Sequence, residues 1–242
     1  MRMSEVRAAW EALAIIDLQT LLAGRKPLIL APHPDDESLG CGGLLAQCAA
    51  AGIGAQVAVL TDGSRSHPGS VSHPPPRLAA RRRREAVDAL RILGLSDSDL
   101  CWIGAEDTRL PAEGPAAEAI ITALADLCDV TGCDLLLCTW RHDPHCDHEA
   151  AATLAEGLAR RTGLPVMSYP VWGWTLPDET EVSAAQSGVR LAINAELALK
   201  QSAIRAHATQ YSGVITDSPE GFTLPDHLLS VFDRPYETFL IP

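Results

Sequence analysis

Hydrophobic positions along the chain gather into short unbroken runs, separated by longer stretches in which apolar residues recur at helical spacing. The runs Pro27 to Ala31, Ala55 to Leu60, Leu100 to Ile103, Asp134 to Thr139, Leu164 to Val171 and Gly188 to Ile193 have the length of buried strands. Helical spacing predicts one or two short amphipathic helices over residues 4–23, with Val6, Trp10, Leu13, Ile16, Leu18, Leu21 and Leu22 inward and Gly24 as the stop. Further helices are expected from the turn after residue 35 to Gly52, over Arg77 to Leu93, over residues 115–130, over Ala150 to Arg161, and over Ala195 to His207 with Asn194 as cap. Residues 208–242 show no clear period and read as loop-rich. Strand and helix thus alternate, which predicts an α/β fold with a parallel sheet wrapped by helices.

Two of the strand exits carry chemistry. The first reads Ala31-Pro32-His33-Pro34-Asp35-Asp36-Glu37-Ser38 and runs into Gly40, Gly42 and Gly43. Its prolines end the strand at His33, and acids suit the positive end of the helix that follows. A charged N-cap accounts for one or two acids, but not for three acids beside a histidine at the carboxyl end of a strand, where open α/β sheets place ligands. The glycines cost helix stability and imply close approach of the helix to a strand or ligand. The second exit is Trp140-Arg141-His142-Asp143-Pro144-His145-Cys146-Asp147-His148-Glu149, with two imidazoles at i, i+3 and an aspartate between them. Together, His33, Asp36 and His148 supply two imidazoles and a carboxylate, a set that holds a divalent metal with positions left open. Ligand type suits Zn²⁺ and Fe²⁺ alike.

Composition narrows the partners. A formal charge of −12 opposes nucleic acid or an anionic membrane surface and favours a small neutral substrate. The 242 residues, 47% of them hydrophobic, fit one α/β domain over 1–242 with residues 1–24 as a helical extension, and leave a homo-oligomer open. Charges interrupt the first twenty residues, so neither a signal-peptide core nor a membrane span is expected and the protein reads as cytoplasmic. Seven cysteines form no C-x-x-C pair and read as reduced, mostly buried thiols. Residues 62–76, with His67, His73 and three prolines, predict a long loop of the kind that forms a lid or binding surface. The run Arg81 to Arg84 admits two readings, a solvated face with an Arg82–Glu85 pair, or one arginine turned toward the site. Asp107, in another loop after a strand, is either a turn aspartate or a partner for a substrate hydroxyl.

The two motifs resemble the PIG-L / LmbE family of metal-dependent N-deacetylases. Arg82 with Glu85, and Lys200 with His207-Ala208-Thr209-Gln210, resemble further landmarks of that family. The resemblance implies a Rossmann-like, three-layer α/β/α fold and hydrolysis of an N-acetyl group on a glucosamine-containing conjugate. It implies His33, Asp36 and His148 as metal ligands, zinc or another divalent ion, and Asp35 as general base. His145 would stabilise the oxyanion, with Asp147 orienting it and favouring its charged form. Arg82 and Asp107 stand as substrate-binding candidates, and the loops 62–76, 105–114 and 172–186 would shape the remainder of the substrate. The motif usually reads His-Pro-Asp-His; here Cys146 replaces the proline, which loosens a φ restraint and places a thiol near the site.

Other readings are a same-family amidase for a larger acyl group, a non-catalytic metal- or sugar-binding protein, and a nucleotide-binding domain. The last suffers from glycine spacing unlike a dinucleotide fingerprint and from two aspartates that would repel a pyrophosphate.

Overall fold

A computed structural model describes residues 1–183 and 185–241. Along the chain, helix α1 (Met3–Glu11), strand β1 (Ile15–Ile16) and helix α2 (Leu18–Leu22) come first. Strands and helices then alternate as β2 (Pro27–Ala31), α3 (Asp36–Ala50), β3 (Gln56–Thr61), α4 (Pro75–Ile92), β4 (Leu100–Ala105), α5 (Gly114–Thr131), β5 (Leu135–Thr139), α6 (Cys146–Thr162) and β6 (Val166–Tyr169). The last part holds β7 (Gly188–Ala192), α7 (Leu197–Ala206), α8 (Ala208–Tyr211), α9 (Asp226–Leu229) and β8 (Tyr236–Leu240).

All eight strands join one sheet in the order β1-β7-β8-β6-β5-β2-β3-β4, parallel except for β8. Strand β2 is buried at every position because both of its faces are covered. Leu28 and Leu30 pack with Leu124 of α5 and Leu154 and Leu158 of α6. Ile29 and Ala31 face the opposite way, toward Leu44 and Leu45 of α3, Leu90 of α4 and Ile204 of α7. Each such leucine contributes roughly 1.5–3 kcal/mol through burial. This is the three-layer α/β/α architecture.

The strand order reverses between β2 and β5. From β2 the chain builds outward through β3 and β4, and from β5 the other way through β6. Loops leaving these two neighbours diverge over opposite faces and open a crevice at their carboxyl ends, the position where doubly wound sheets bind ligands. His33 follows β2 and His148 follows β5.

Several expectations change. The segment 4–23 is two helices with Ile15 and Ile16 between them, which extend the sheet edge beside Arg190 and Leu191. Trp10 packs edge-on against Trp140 and Trp174 at centroid separations of 4.9 and 5.0 Å, so Trp174 belongs to the core. Helix α6 begins at Cys146 rather than Ala150, because the His145 ring accepts the Asp147 N–H at 3.2 Å and caps it; His148 therefore stands in the first turn. Helix α7 begins at Leu197 with Glu196 at its N-cap, so Asn194 does not cap it. The supposed loop region after 208 contains β8, which lies inside the sheet between β6 and β7. In the 62–76 segment, the Asp217 carboxylate accepts from Ser70 Oγ, Ser72 Oγ and the N–H groups of Val71 and Ser72 at 2.7–3.0 Å, and His67 and His73 are buried. Within the loop 172–186, Ala184 lies outside the described residues.

Candidate metal centre and active site

Strand β2 ends at Ala31, and Pro32 and Pro34 force a turn that returns the Asp36 side chain onto His33. Asp36 Oδ2 accepts the His33 N–H at 2.9 Å and lies 3.2 Å from its Nδ1. From the other strand exit, His148 Nε2 reaches within 3.3 Å of the same oxygen. His148 Nε2 is fully buried and has no hydrogen-bond partner among the described residues. Its Nδ1 is 3.0 Å from Asp143 Oδ2, and the Asp143 carboxylate is itself fixed by the N–H groups of Val171 at 3.0 Å and Gly173 at 2.6 Å. An imidazole whose Nδ1–H is held by a carboxylate directs the Nε2 lone pair inward, the arrangement that orients metal-binding histidines.

These donors fit a divalent metal. Ligands of tetrahedral zinc stand about 2.0–2.2 Å from the ion and therefore about 3.3–3.6 Å from one another, close to the separations of Asp36 Oδ2 from the two imidazole nitrogens. The charge balance points the same way. Burial alone lowers the pKa of His148, yet the Asp36 and Asp143 carboxylates outweigh it and raise it to about 9. His33 is likewise desolvated but raised well above the ordinary value by Asp107, Asp147 and Asp36. Burial would raise Asp36, and the two imidazoles instead hold it far below the carboxylate range. The cluster calls for positive charge, and a cation answers that need. Donor atoms of His33, His145 and His148 also fall within 4.8 Å of one another, as do those of His33, Asp107 and Asp147, and of His145, Cys146 and Asp147. The His33–Asp36–His148 set is not among these three groups; what marks it is that one carboxylate oxygen, Asp36 Oδ2, faces an imidazole nitrogen from each strand exit, one of them the orphaned His148 Nε2.

Asp35 is buried beside this cluster. Its pKa rises to about 6 through burial, opposed by Arg82 and reinforced by Asp36. Arg82, itself buried, donates to Asp35 Oδ2 at 3.1 Å, Pro34 O at 2.9 Å and Gly63 O at 3.1 Å. Of the run Arg81 to Arg84, Arg82 is thus the one turned to the site, and the partner of Glu85 is Arg81 at 3.0 Å.

Asp147 takes partners other than the expected one. Its carboxylate accepts from Thr108 N at 2.7 Å and Leu110 N at 3.0 Å and lies 3.1 Å from His33 Nε2, so it braces His33 as Asp143 braces His148. No hydrogen bond joins the Asp147 carboxylate to the His145 ring. His145 is lowered to about 4 by burial and by the neighbouring imidazoles His33 and His148, against which Asp147 is the weaker influence, so it is neutral near pH 7. Asp107 Oδ2 accepts Arg65 N at 2.9 Å, and Oδ1 is 3.5 Å from His33 Nε2. Burial opposes that contact, but His33 prevails and lowers Asp107 to about 2.

A cavity of about 380 Å³ opens onto His33, Asp35, Asp36, Arg82, Asp107 and His145. Its far wall includes Trp172, Gln210, Glu220, Phe222 and Leu224. Trp172 and Phe222 stand 5.6 Å apart. Gln210 belongs to a stretch the sequence marks, but Glu220, Phe222 and Leu224 carry no motif, and they reach the cavity because their segment folds back against Ser66 and Gln210. Asp143 had a discernible cue, since a metal-binding histidine generally needs a carboxylate behind it. Cys146 is exposed, while Cys41, Cys48, Cys128, Cys133 and Cys138 are buried, and all seven are free thiols.

Comparison with known proteins gives concordant matches. The family model for PIG-L, described as GlcNAc-PI de-N-acetylase, matches residues 28–159, a span that contains both strand exits. Diacetylchitobiose deacetylase of Thermococcus kodakarensis is 32% identical over 143 residues, 58% of this chain and 51% of that protein. The 2'-N-acetylparomamine deacetylase of Streptomyces fradiae is 30% identical over 157 residues, 57% of this chain and 54% of that protein. The chain thus spans about half the length of these curated relatives. Among solved structures, N,N'-diacetylchitobiose deacetylase from Pyrococcus horikoshii, complexed with its inhibitor MPG, shares the fold at a TM-score of 0.66 and 23% identity, covering 98% of this chain and 90% of that one.

Proposed function

The chain belongs to the PIG-L family, and from that membership we propose that it is a metal-dependent hydrolase that removes the N-acetyl group from an N-acetylglucosamine-containing conjugate. The observation that carries this reading is the orphaned, fully buried His148 Nε2 meeting His33 Nδ1 across Asp36 Oδ2, with the Asp35 carboxyl in the wall of the same cavity. The relatives' names, which specify diacetylchitobiose and 2'-N-acetylparomamine, support an acetamido sugar as substrate.

His33, Asp36 and His148 would hold the metal, zinc or another divalent ion such as Fe²⁺. Bound there, the ion would supply Lewis acidity, lowering the pKa of water to about 7 and polarising the acyl oxygen. Asp35 takes the proton of the attacking water, and a carboxyl with its pKa raised to about 6 suits a base working near neutrality. Arg82 fixes one Asp35 oxygen and leaves Oδ1 for the proton. Protonated Asp35 then returns that proton to the departing nitrogen as the C–N bond breaks, giving acetate and a free amine.

His145 accepts the Asp147 N–H at Nδ1, so the proton of the neutral ring sits on Nε2. That N–H donates to the oxyanion as charge develops on it. Asp147 and Asp143 keep the His33 and His148 rings in register, and Asp107 remains the candidate acceptor for a sugar hydroxyl. Arg82 acts on Asp35 rather than directly on substrate.

The test is product release from a panel of glucosaminides bearing acetyl or longer acyl groups. Acetate release by the wild-type protein is expected, falling on the order of 10²- to 10⁴-fold in Asp35→Asn. Release of only longer acids would move the reading to an amidase. Metal retention without any release would reduce the protein to a binding module.

A further inference from the structure

Behind Asp35 lies a buried network that the chemistry above does not use. Asp35 has φ +146°, in a region that residues other than glycine rarely occupy. Such a conformation costs about 1–3 kcal/mol and persists only where the surroundings over-determine it. Its N–H donates to Glu37 Oε2 at 3.0 Å. Glu37 Oε1 accepts from Ser38 Oγ at 2.7 Å and from His207 Nε2 at 3.0 Å.

His207 marks the junction of α7 and α8. Two residues on, Thr209 donates its hydroxyl to Glu85 Oε2 at 2.6 Å, and its N–H reaches the same carboxylate at 3.2–3.3 Å. Glu85 lies one turn of α4 beyond Arg82, and Arg82 returns to the Asp35 carboxylate and to Pro34 O. Two arms therefore reach Asp35, one from its N–H through Glu37 to His207, the other from its carboxylate to Arg82 of α4, and the Thr209–Glu85 bonds pin the His207 junction to that same helix. Every member is at most 7% exposed. An ordinary core network needs only to satisfy its own polar groups. This one grips the backbone and the carboxylate of a single strained residue from two sides.

We propose that Glu37 and His207 are positioning residues that hold Asp35 in its left-handed backbone conformation and so aim its carboxylate into the cavity. The inference rests on Asp35 acting as the base, but its geometric content can be measured without turnover. Small displacements of a reacting group cost on the order of 10²-fold in rate, and among the described residues neither side chain hydrogen-bonds to His33, Asp36 or His148.

Crystal structures and steady-state kinetics of the metal-loaded wild type, Glu37→Ala, Glu37→Gln, His207→Gln and Thr209→Val decide it. Asp35 is expected to keep a positive φ in the wild type and in Glu37→Gln, whose amide oxygen still accepts the Asp35 N–H, and to leave that region in Glu37→Ala. In Glu37→Ala, kcat for acetate release should drop on the order of 10²-fold with KM within about twofold and bound metal unchanged, and Glu37→Gln should recover most of the loss. His207→Gln and Thr209→Val, milder cuts in the same network, should move Asp35 φ by less and lower kcat less, again without altering KM, and they carry the test if Glu37→Ala does not fold. An unchanged Asp35 φ in Glu37→Ala, or in both milder variants should Glu37→Ala not fold, overturns the proposal, as does a kcat equal to wild type there. Absence of turnover in every protein, wild type included, would instead overturn the deacetylase reading, while the crystal structures still decide the positioning.

Discussion

Asp35 and Asp36 are adjacent carboxylates that titrate in opposite directions. Asp36 faces two imidazoles and is held ionised, whereas Asp35 is desolvated and has its pKa raised to about 6. With Asp35 as the proposed base its deprotonated form is the active one, so kcat/KM should rise with pH through about 6 rather than through the ordinary carboxylate range. Because Arg82 lowers the Asp35 pKa, Arg82→Gln should move that limb to higher pH; a pH–rate profile of both proteins checks the direction. Stability runs the other way. The folded chain binds the Asp35 proton more tightly than the unfolded chain, so this group's contribution is fully present below the ordinary value and lost as pH climbs toward about 6. His33, Asp35, Asp36, His145, Asp147 and His148 were legible as candidates because two short segments at strand exits concentrate them. The places of Glu37, Asp143 and His207 were not legible to the same degree. Glu37 takes its meaning from His207, 170 positions away, and a pattern read along the chain carries no record of that contact.

Helix α3 joins the residue chemistry to the sheet. A methyl group at Gly40 would overlap the Tyr169 ring, one at Gly43 would overlap Ile193, and one at Gly42 would come within 3.0 Å of the Lys200 side chain. The Tyr169 hydroxyl donates to Leu30 O at 2.9 Å, so the ring cannot swing aside without giving up a buried bond. Gly40→Ala should therefore destabilise the protein by about 1–3 kcal/mol through overpacking, despite alanine's advantage of about 1 kcal/mol in a helix. Denaturant unfolding of the wild type and the variant reads the difference. The close approach of α3 was legible in its glycines, because few other reasons place three of them in one helix. Strand β8 was not, since its segment Tyr236 to Leu240 places Glu237 where an apolar residue is expected. That carboxylate is buried, accepts the N–H groups of Gly43 and Leu44 at 2.7 and 2.8 Å, and pairs with the buried Lys200 at 2.7 Å. A polar partner from another element thus disguises a strand in the middle of the sheet.

At the scale of the whole molecule, the sheet's reversal between β2 and β5 brings the two motifs together over more than a hundred residues of chain. The alternation of strands and helices made the parallel α/β architecture legible, and it also implied a crevice at the carboxyl ends of the strands. What alternation could not supply was the return of the chain after β7, which places β8 inside the sheet and hangs Phe222 and Leu224 over the cavity. Among the described residues no helix is long and apolar enough to cross a membrane, and the formal charge is −12, which suits a small-molecule substrate better than a polyanion. In the proposed reaction His33, Asp36 and His148 hold a metal on which removal of the N-acetyl group depends. Zinc titration of chelator-treated protein, with acetate release from an N-acetylglucosaminide as the readout, tests it most directly. Activity should be absent without metal and return in proportion to zinc up to a single equivalent per chain, and His148→Ala should neither retain the ion nor recover. Undiminished acetate release from metal-free protein, or none at any zinc loading, would overturn metal-dependent deacetylation at this site.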